Sequence, residues 1–367
     1  MEGDLIKINH WLKPFSWLYG MGVGLRNWLF DWGILKSESF DIPIICVGNI
    51  TVGGTGKTPQ VEYLIRLLSQ QHQVAVLSRG YKRKSHGYVL STTDSTVEEI
   101  GDEPWQIKQK FPKVYVAVDA NRRRGIKRLC NDPETQDVDV ILLDDAFQHR
   151  YVKPGINMLL IDYHRMITDD SLLPAGRLRE RASGRKRADM VVVTKCPPDI
   201  QPMGFRVIQH ALKLQPHQPL FFSTIRYGAL RQVFGEQEMS LQTLRNRDMH
   251  TLLLTGIGSP KQMEQDLHPY LPNTQSLHFP DHHFYGPEDV ERINTIYRQM
   301  PQPRLVITTE KDACRLRITP GLDQELTERL FMLPIQADII RNETTTFNEK
   351  ITSYVRKNSR NSILAKR

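Results

Sequence analysis

Short apolar runs alternate with longer stretches of helical periodicity through most of this chain. Residues 42–47, Ile-Pro-Ile-Ile-Cys-Val, form a β-branched run bounded by turn residues, which predicts a buried strand. Val61, Leu64, Ile65, Leu67 and Leu68 then recur at helical spacing. Strand-like runs follow at 74–78, 114–118, 138–143 and 190–194, and again at 220–225, 252–255 and 304–309. Strands interleaved with amphipathic helices predict an α/β fold with a parallel sheet. At 367 residues the chain suggests two domains.

The first 35 residues depart from this pattern. Trp17, Met21, Leu25, Trp28, Trp32 and Leu35 share one helical face, while Tyr19, Val23 and Phe30 lie on the other side. The longest uncharged stretch, 14–25, has 12 residues, and a helix needs about 20 to cross a bilayer core. Two readings stay open here: a buried core helix, or an interfacial segment whose Trp and Tyr side chains sit at headgroup level.

Composition adds limits. An apolar content of 40% with 25% charged residues excludes intrinsic disorder and small disulfide-stapled scaffolds. The net charge of +8 permits nucleic acid, phosphorylated ligands or an anionic membrane as partners. Residues 350–367 hold six basic residues and no acid, so the remainder is close to neutral. Cys46, Cys130, Cys196 and Cys314 are too scattered for a zinc knuckle or a disulfide framework. No secretory signal pattern is visible at the start.

The strongest chemical signal follows the strand at 42–47. Thr51-Val52-Gly53-Gly54-Thr55-Gly56-Lys57-Thr58 lies between that strand and a helix, the context of a phosphate-binding loop. Lys57 would reach the β- and γ-phosphates of a nucleotide, and Thr58 would ligate Mg²⁺. The general pattern has Gly where this chain has Thr51. The apolar run at 138–143 ends in Asp144-Asp145, paired carboxylates of the kind that serve a metal, and Gln148 and His149 follow within the same loop. Arg79, the Arg122-Arg123-Arg124 cluster and Lys195 each follow a predicted strand, where ligands bind in open α/β sheets. The loop 194–197 lacks the Asp with which GTPases read guanine, which favours ATP. Asp102 is either a helix cap or a base for a substrate hydroxyl. The loop 173–180 is either a solvated turn or a clamp built from Arg179 with Glu180 near a metal. The adjacent His282 and His283 suit a base or substrate contact better than zinc.

Together these segments resemble the tetraacyldisaccharide 4′-kinase family, the lipid A 4′-kinases of Gram-negative bacteria. The resemblance rests on 47–59, 77–81, 101–104, 144–149, 172–180, 279–283 and 309–313, in the family's order, and the family shares the Thr51 departure. It implies a P-loop NTPase-type core with a parallel sheet and a smaller α/β domain, joined by a two-stranded linker near 219–225 and 330–335. The expected division is a membrane-associated N-terminal helix at 1–35, a kinase core at 36–215, the smaller domain at 216–338, and a basic segment at 339–367 packed helically on the core. The implied reaction transfers the ATP γ-phosphate to the 4′-hydroxyl of an acylated glucosamine disaccharide 1-phosphate. Asp102 would be the base, assisted by His282 in preference to His283. Thr58, Asp144, Asp145 and Glu180 would serve Mg²⁺; Arg79, Arg122, Arg179, Gln148 and His149 would contact phosphate or substrate. The partners implied are the lipid substrate and the cytoplasmic face of the inner membrane, to which the protein attaches peripherally or monotopically. Nucleic acid loses its claim, and no obligatory protein partner is inferred. The competing reading is a soluble P-loop ATPase acting as a nucleotide-dependent switch.

Overall fold

The computed structural model describes residues 8–245, 247–258, 260–281 and 283–359. They organise into two units, Met1–Ile225 with Ala337–Arg367, and Arg226–Gln336. The first unit opens with helix α1 (Lys13–Asp31), then β1 (Ile44–Gly48), α2 (Lys57–Leu68), β2 (Val74–Ser78) and β3 (Val89–Leu90). Helices α3 (Val97–Ile100) and α4 (Asp102–Lys110) precede β4 (Tyr115–Val118), α5 (Arg122–Asn131), β5 (Val140–Asp144), β6 (Ile156–Asp162), β7 (Met190–Thr194), α6 (Pro202–Leu212) and β8 (Leu220–Tyr227). The second unit carries β9 (Leu230–Gln232), β10 (Glu238–Met239), α7 (Leu241–Leu244), β11 (His250–Thr255), α8 (Pro260–Leu267) and β12 (Thr274–His278). It continues with α9 (Pro287–Gln299), β13 (Arg304–Thr309), α10 (Glu310–Leu316), α11 (Gln324–Glu328) and β14 (Leu330–Leu333). The chain then passes through β15 (Ile335–Ile339) to a last described helix, α12 (Thr344–Asn358).

The large sheet runs β15-β8-β7-β6-β1-β5-β2-β4-β3. Strands β4, β2, β5, β1, β6, β7 and β8 pair in parallel, and β3 is antiparallel to β4. Parallel sheets need cover on both faces, and β1 shows it. Ile45 and Val47 join a core with Val61, Leu64 and Ile65 of α2 and with Phe347, Ile351 and Val355 of α12. Ile44 and Cys46 face Ile126 and Leu129 of α5. The two-residue period of a strand thus divides one apolar run between two cores.

Topology places the functional loops. Strand β5 inserts between β1 and β2, with Val47 opposite Asp144, while β6 pairs with the other edge of β1. The strand order therefore reverses at β1, and its carboxyl end is where an open α/β sheet binds ligands. The smaller unit has its own sheet, β10-β9-β14-β13-β11-β12. Leu252 and Leu254 pack on the α9 and α10 side, and Leu253 packs on the α7 and α8 side.

Two expectations are corrected. The second linker strand, placed near 330–335, is displaced toward the C-terminus. Leu330–Leu333 pairs with β13 and β9 in the small sheet, and Ile335–Ile339 joins β8 in the large one. The run 330–335 is apolar throughout, so it reads as one strand and does not show that the chain changes sheets within it. The buried-helix reading of the N-terminus also fails: only Ser16, Gly20 and Phe30 of α1 are buried, whereas Trp17, Trp28 and Trp32 are 63%, 45% and 68% exposed. Among the described residues no helix is long and apolar enough to cross a membrane.

Helix α12 closes one face of the large sheet. Phe347 is fully buried, edge-on to Phe221 at 5.1 Å and to Tyr63 at 5.7 Å between ring centroids. Phe347→Ala should cost about 3–5 kcal/mol by removing these contacts and leaving a cavity. Ile351→Val should cost no more than about 1.5 kcal/mol. Urea denaturation of both variants checks the ratio.

Candidate active site

The loop between β1 and α2 is held from three sides. The Asn49 side-chain amide donates to Thr55 Oγ1 at 2.6 Å. Val52 N–H donates to Arg177 O, and Arg179 N–H donates to Ile50 O, each at 2.8 Å, with Thr51 bridged antiparallel to Leu178. This bridge explains the Thr51 departure: the residue is extended and β-paired, a conformation that does not require glycine. From β7, Thr194 Oγ1 donates to Thr55 O at 2.9 Å, and Lys195 Nζ donates to Gly54 O. Gly53 and Gly56 have φ of 112° and 75°, the left-handed region where glycine alone is unstrained. Helix α2 starts immediately after Gly56, and Lys57 and Thr58 are its first two residues. A glycine loop leading into a helix N-terminus aims backbone N–H groups and partial positive charge at one point, a cradle for phosphate.

Strand β5 delivers the carboxylates. Asp144 is buried, and its Oδ1 has no hydrogen-bond partner. Burial pushes its carboxyl up to about 7, reinforced by the charges of Glu103 and Asp145 and opposed by Lys57 and Arg122. Asp145, at φ 47°, turns the chain and lies 3.7 Å from Lys57 and 3.0 Å from Arg179. Burial would raise its carboxyl, but those two cations outweigh it and hold the group below the usual carboxylate range. The adjacent aspartates therefore diverge: one is neutralised by cations and the other holds a buried oxygen in reserve. Asp102 is buried as the first residue of α4, with Gly101 at the N-cap position. Its neighbour Glu103 is the largest charge acting on Asp144, which ties the 101–104 segment electrostatically to the β5 end.

Arginines converge from the other side. Arg122, 2% exposed, donates to Asp119 O at 2.6 Å and Asp144 O at 3.2 Å, with Nε buried and unpartnered. Its burial lowers the guanidinium to about 10, still a cation at neutral pH. His149 is lowered to about 4 by burial and by Arg122, Arg26, Arg123 and Arg79, so its imidazole is neutral near pH 7. Arg79 itself is exposed. Gln148 donates to Asn49 O and, at 3.3 Å, to Glu180 Oε1.

Glu180 is buried and paired with Arg187 at 2.9 Å, and it accepts from Asn27 at 3.2 Å. Among the described residues no three His, Cys, Asp or Glu side chains gather as a metal site, so Asp144, Asp145 and Glu180 do not form a carboxylate cage. His282 lies outside the described residues. Sequence reasoning missed Glu103, Arg187 and the contact from Lys195 to Gly54. Lys195 carried a signal in its place just after a strand, and Glu103 in its place within the 101–104 segment.

Glycine cradle, helix start, lysine and strand-end aspartates on adjacent parallel strands define a P-loop nucleotide site. A family model described as tetraacyldisaccharide-1-P 4′-kinase matches residues 8–356. The chain is 56% identical over 364 residues to the tetraacyldisaccharide 4′-kinase of Phocaeicola vulgatus, covering 99% of both chains. It is 52% identical to that of Bacteroides fragilis, covering 100% of this chain and 98% of the relative. Its fold is similar to LpxK from Aquifex aeolicus, solved in complex with ATP, with TM-score 0.72 and 29% identity over 94% of this chain and 98% of that one. The chain belongs to the tetraacyldisaccharide-1-P 4′-kinase family, whose members are phosphotransferases.

The depressed His149 has a consequence for stability. Its folded value, about 4, lies below the unfolded value near 6.5. The stabilisation is therefore present above pH 6.5 and is lost as pH falls toward 4. Because the ring is only partly buried, solvent screening reduces the effect to about 1 kcal/mol. His149→Gln should flatten that part of the profile, measured by urea denaturation at pH 7 and pH 5.

Proposed function

We propose that this protein transfers the γ-phosphate of ATP to the 4′-hydroxyl of an acylated glucosamine disaccharide 1-phosphate, the 4′-phosphorylation step of lipid A synthesis. Family membership over nearly the whole chain supports the substrate class. The observation that carries the chemistry is the pairing of the 53–58 cradle with Lys57, Asp144 and Asp145 at the switch point of the sheet. Thr51 to Thr58 would line the nucleotide phosphates, with Lys57 reaching the transferred group.

The oxygen donors present fit Mg²⁺. The Thr58 hydroxyl and the unpartnered Asp144 Oδ1 are hard ligands, and phosphate oxygens and water complete such sites where proteins offer few carboxylates. Asp145 and Glu180 would shape the site through Lys57, Arg179 and Gln148. When bound, Mg²⁺ supplies charge neutralisation on the phosphates. Arg79, Arg122 and Arg179 would form the electropositive side on which substrate phosphate rests, with the neutral His149 as a hydrogen-bonding group beside them. Asp102 would take the proton of the attacking hydroxyl, with His282 assisting.

The protein would act on the cytoplasmic face of the inner membrane, seated by α1. That helix meets the rest of unit one mainly through small and polar groups, with Phe30 packed on Tyr151: Ser16 Oγ donates to Leu172 O at 2.9 Å, and Tyr19 OH donates to Arg179 O at 2.8 Å. Phe15, Trp17, Leu18, Leu25 and Trp28 are exposed, while Phe30 alone of the helix's large apolar side chains is buried. A contiguous exposed apolar face marks a membrane or protein contact, and Trp enrichment favours the headgroup level.

Two measurements test this reading. Transfer of labelled phosphate from ATP to the lipid disaccharide is expected, and ATP hydrolysis without lipid labelling would overturn it. Asp102→Ala should lower kcat about 10²–10⁴-fold, the range for a lost general base, while ATP affinity stays within about threefold. For the membrane seat, Trp17→Glu with Trp28→Glu should abolish co-sedimentation with anionic vesicles. Phosphorylation of a detergent-dispersed substrate should persist.

A further inference from the structure

In a phosphate-binding loop the N–H groups must face inward, yet nothing in a glycine-rich sequence sets that direction. The peptide link is planar and trans, so each C=O points opposite to the N–H of the same peptide. A partner that captures the C=O therefore aims the N–H. In this protein two successive carbonyls of the loop are captured from β7. Thr194 Oγ1 donates to Thr55 O at 2.9 Å, and Lys195 Nζ donates to Gly54 O. The N–H groups opposite them belong to Thr55 and Gly56, next to Lys57.

Both captors are themselves anchored. Thr194 is buried and its hydroxyl also reaches Ile161 O at 3.2 Å. Lys195 Nζ is ion-paired at 2.7 Å to the buried Asp162 at the end of β6, whose other oxygen accepts from His164 N–H at 2.9 Å. Lys195 has φ 57°, a left-handed conformation uncommon for a residue with a side chain, in the sharp turn that leaves β7. Gly56 lies closely against Thr194, where a Cβ would meet the threonine side chain at 3.5 Å.

The geometry points to Lys195 and Thr194 as positioning residues of the nucleotide site. Through the Gly54 and Thr55 carbonyls they orient the N–H groups that receive the ATP phosphates. The chain's Thr-Lys pair after β7 thus serves the phosphate loop. The inference rests on the ATP reading proposed above. Neither residue is assigned contact with the transferred phosphoryl group, so the effect should fall on ATP affinity and spare turnover.

The test uses the full chain, with MgATP binding by titration calorimetry and steady-state kinetics on the lipid disaccharide. Lys195→Met is expected to raise the Kd and KM for ATP tenfold or more, with kcat within threefold and lipid KM within twofold. Lys195→Arg, which keeps a cationic donor, should return the ATP Kd to within threefold of the parent. Thr194→Val removes the second tether without changing charge and should raise the ATP Kd at least threefold. It tests the idea even if Lys195→Met does not fold. ATP affinity within twofold of the parent in the folded variants would overturn the inference, as would equal losses in ATP affinity, lipid affinity and kcat. Absence of ATP binding by the parent chain would overturn the ATP reading and this inference with it. Parent binding with unaltered variants would overturn the inference alone.

Discussion

A loop whose N–H groups all face one point has to send its carbonyls elsewhere, and those carbonyls need partners. Residues 49–56 meet this constraint by borrowing from three parts of the chain. Residues 177–179 add a short β-pairing at the entry, Gln148 covers Asn49 O, and Thr194 and Lys195 take the carbonyls of Thr55 and Gly54. Each donor is a strand end or a loop anchored to one, so the nine-stranded sheet is what makes the cradle rigid. The burial of β1 on both faces follows from the same need, because a strand that moved would carry the loop with it.

Charge at the site is arranged by separation of roles. Asp145 faces Lys57 and Arg179, so its negative charge is stabilised and in turn holds those two cations in place beside the phosphate loop. Asp144 sits deeper, with Glu103 and Asp145 near and Arg122 held mainly by backbone carbonyls. Its buried oxygen is costly without a cation. Arg122 stays charged despite burial, and neutral His149 adds no further repulsion to the arginines around it. The site is thus short of a divalent cation on the β5 side and short of an anion on the α5 side. An ATP–Mg²⁺ pair with a phosphorylated sugar would correct both deficits together.

The parts of this design that were legible in sequence are local ones. A strand, three glycines, Gly-Lys-Thr and a helix occupy adjacent positions, and paired aspartates after an apolar run need no folding to be noticed. What sequence could not show are contacts across long separations. Lys195 and Gly54 lie 141 positions apart. The Thr51–Leu178 bridge explains a missing glycine only once the two segments are seen side by side. The pairing of Glu180 with Arg187 depends on a 3₁₀ turn at Ala182–Arg187 that no periodicity announces. The displaced linker strand failed for a related reason: the run 330–335 is uniformly apolar, and two different sheets can claim it.

Helix α1 inverts the usual rule for a helix on a globular surface, and the inversion links the two ends of the function. Most of its contacts with the rest of unit one are made by a serine, a glycine, a tyrosine hydroxyl, an arginine and an asparagine, with Phe30 packed edge-on to Tyr151 near its end. Leu172 approaches Gly20 so closely that a Cβ would meet its Cδ1 at 2.6 Å, so a larger residue there would force the leucine side chain to move. The groups α1 touches include Leu172, Gln148, Arg179 and Glu180, in the same short segments that pair with the phosphate loop and hold Asp145. Tryptophans turned to water would be a standing cost for a soluble switch, which has no use for them. In a bilayer interface they become the favourable side, and the polar side is left to grip the catalytic loops. A lipid whose sugar headgroup must reach an ATP site would then arrive along the same helix that braces that site. The hydrogen bonds of α1 fall on the segments that hold the phosphate loop, a link between this helix and the phosphate geometry that a nucleotide-gated switch working in solution would have no reason to build.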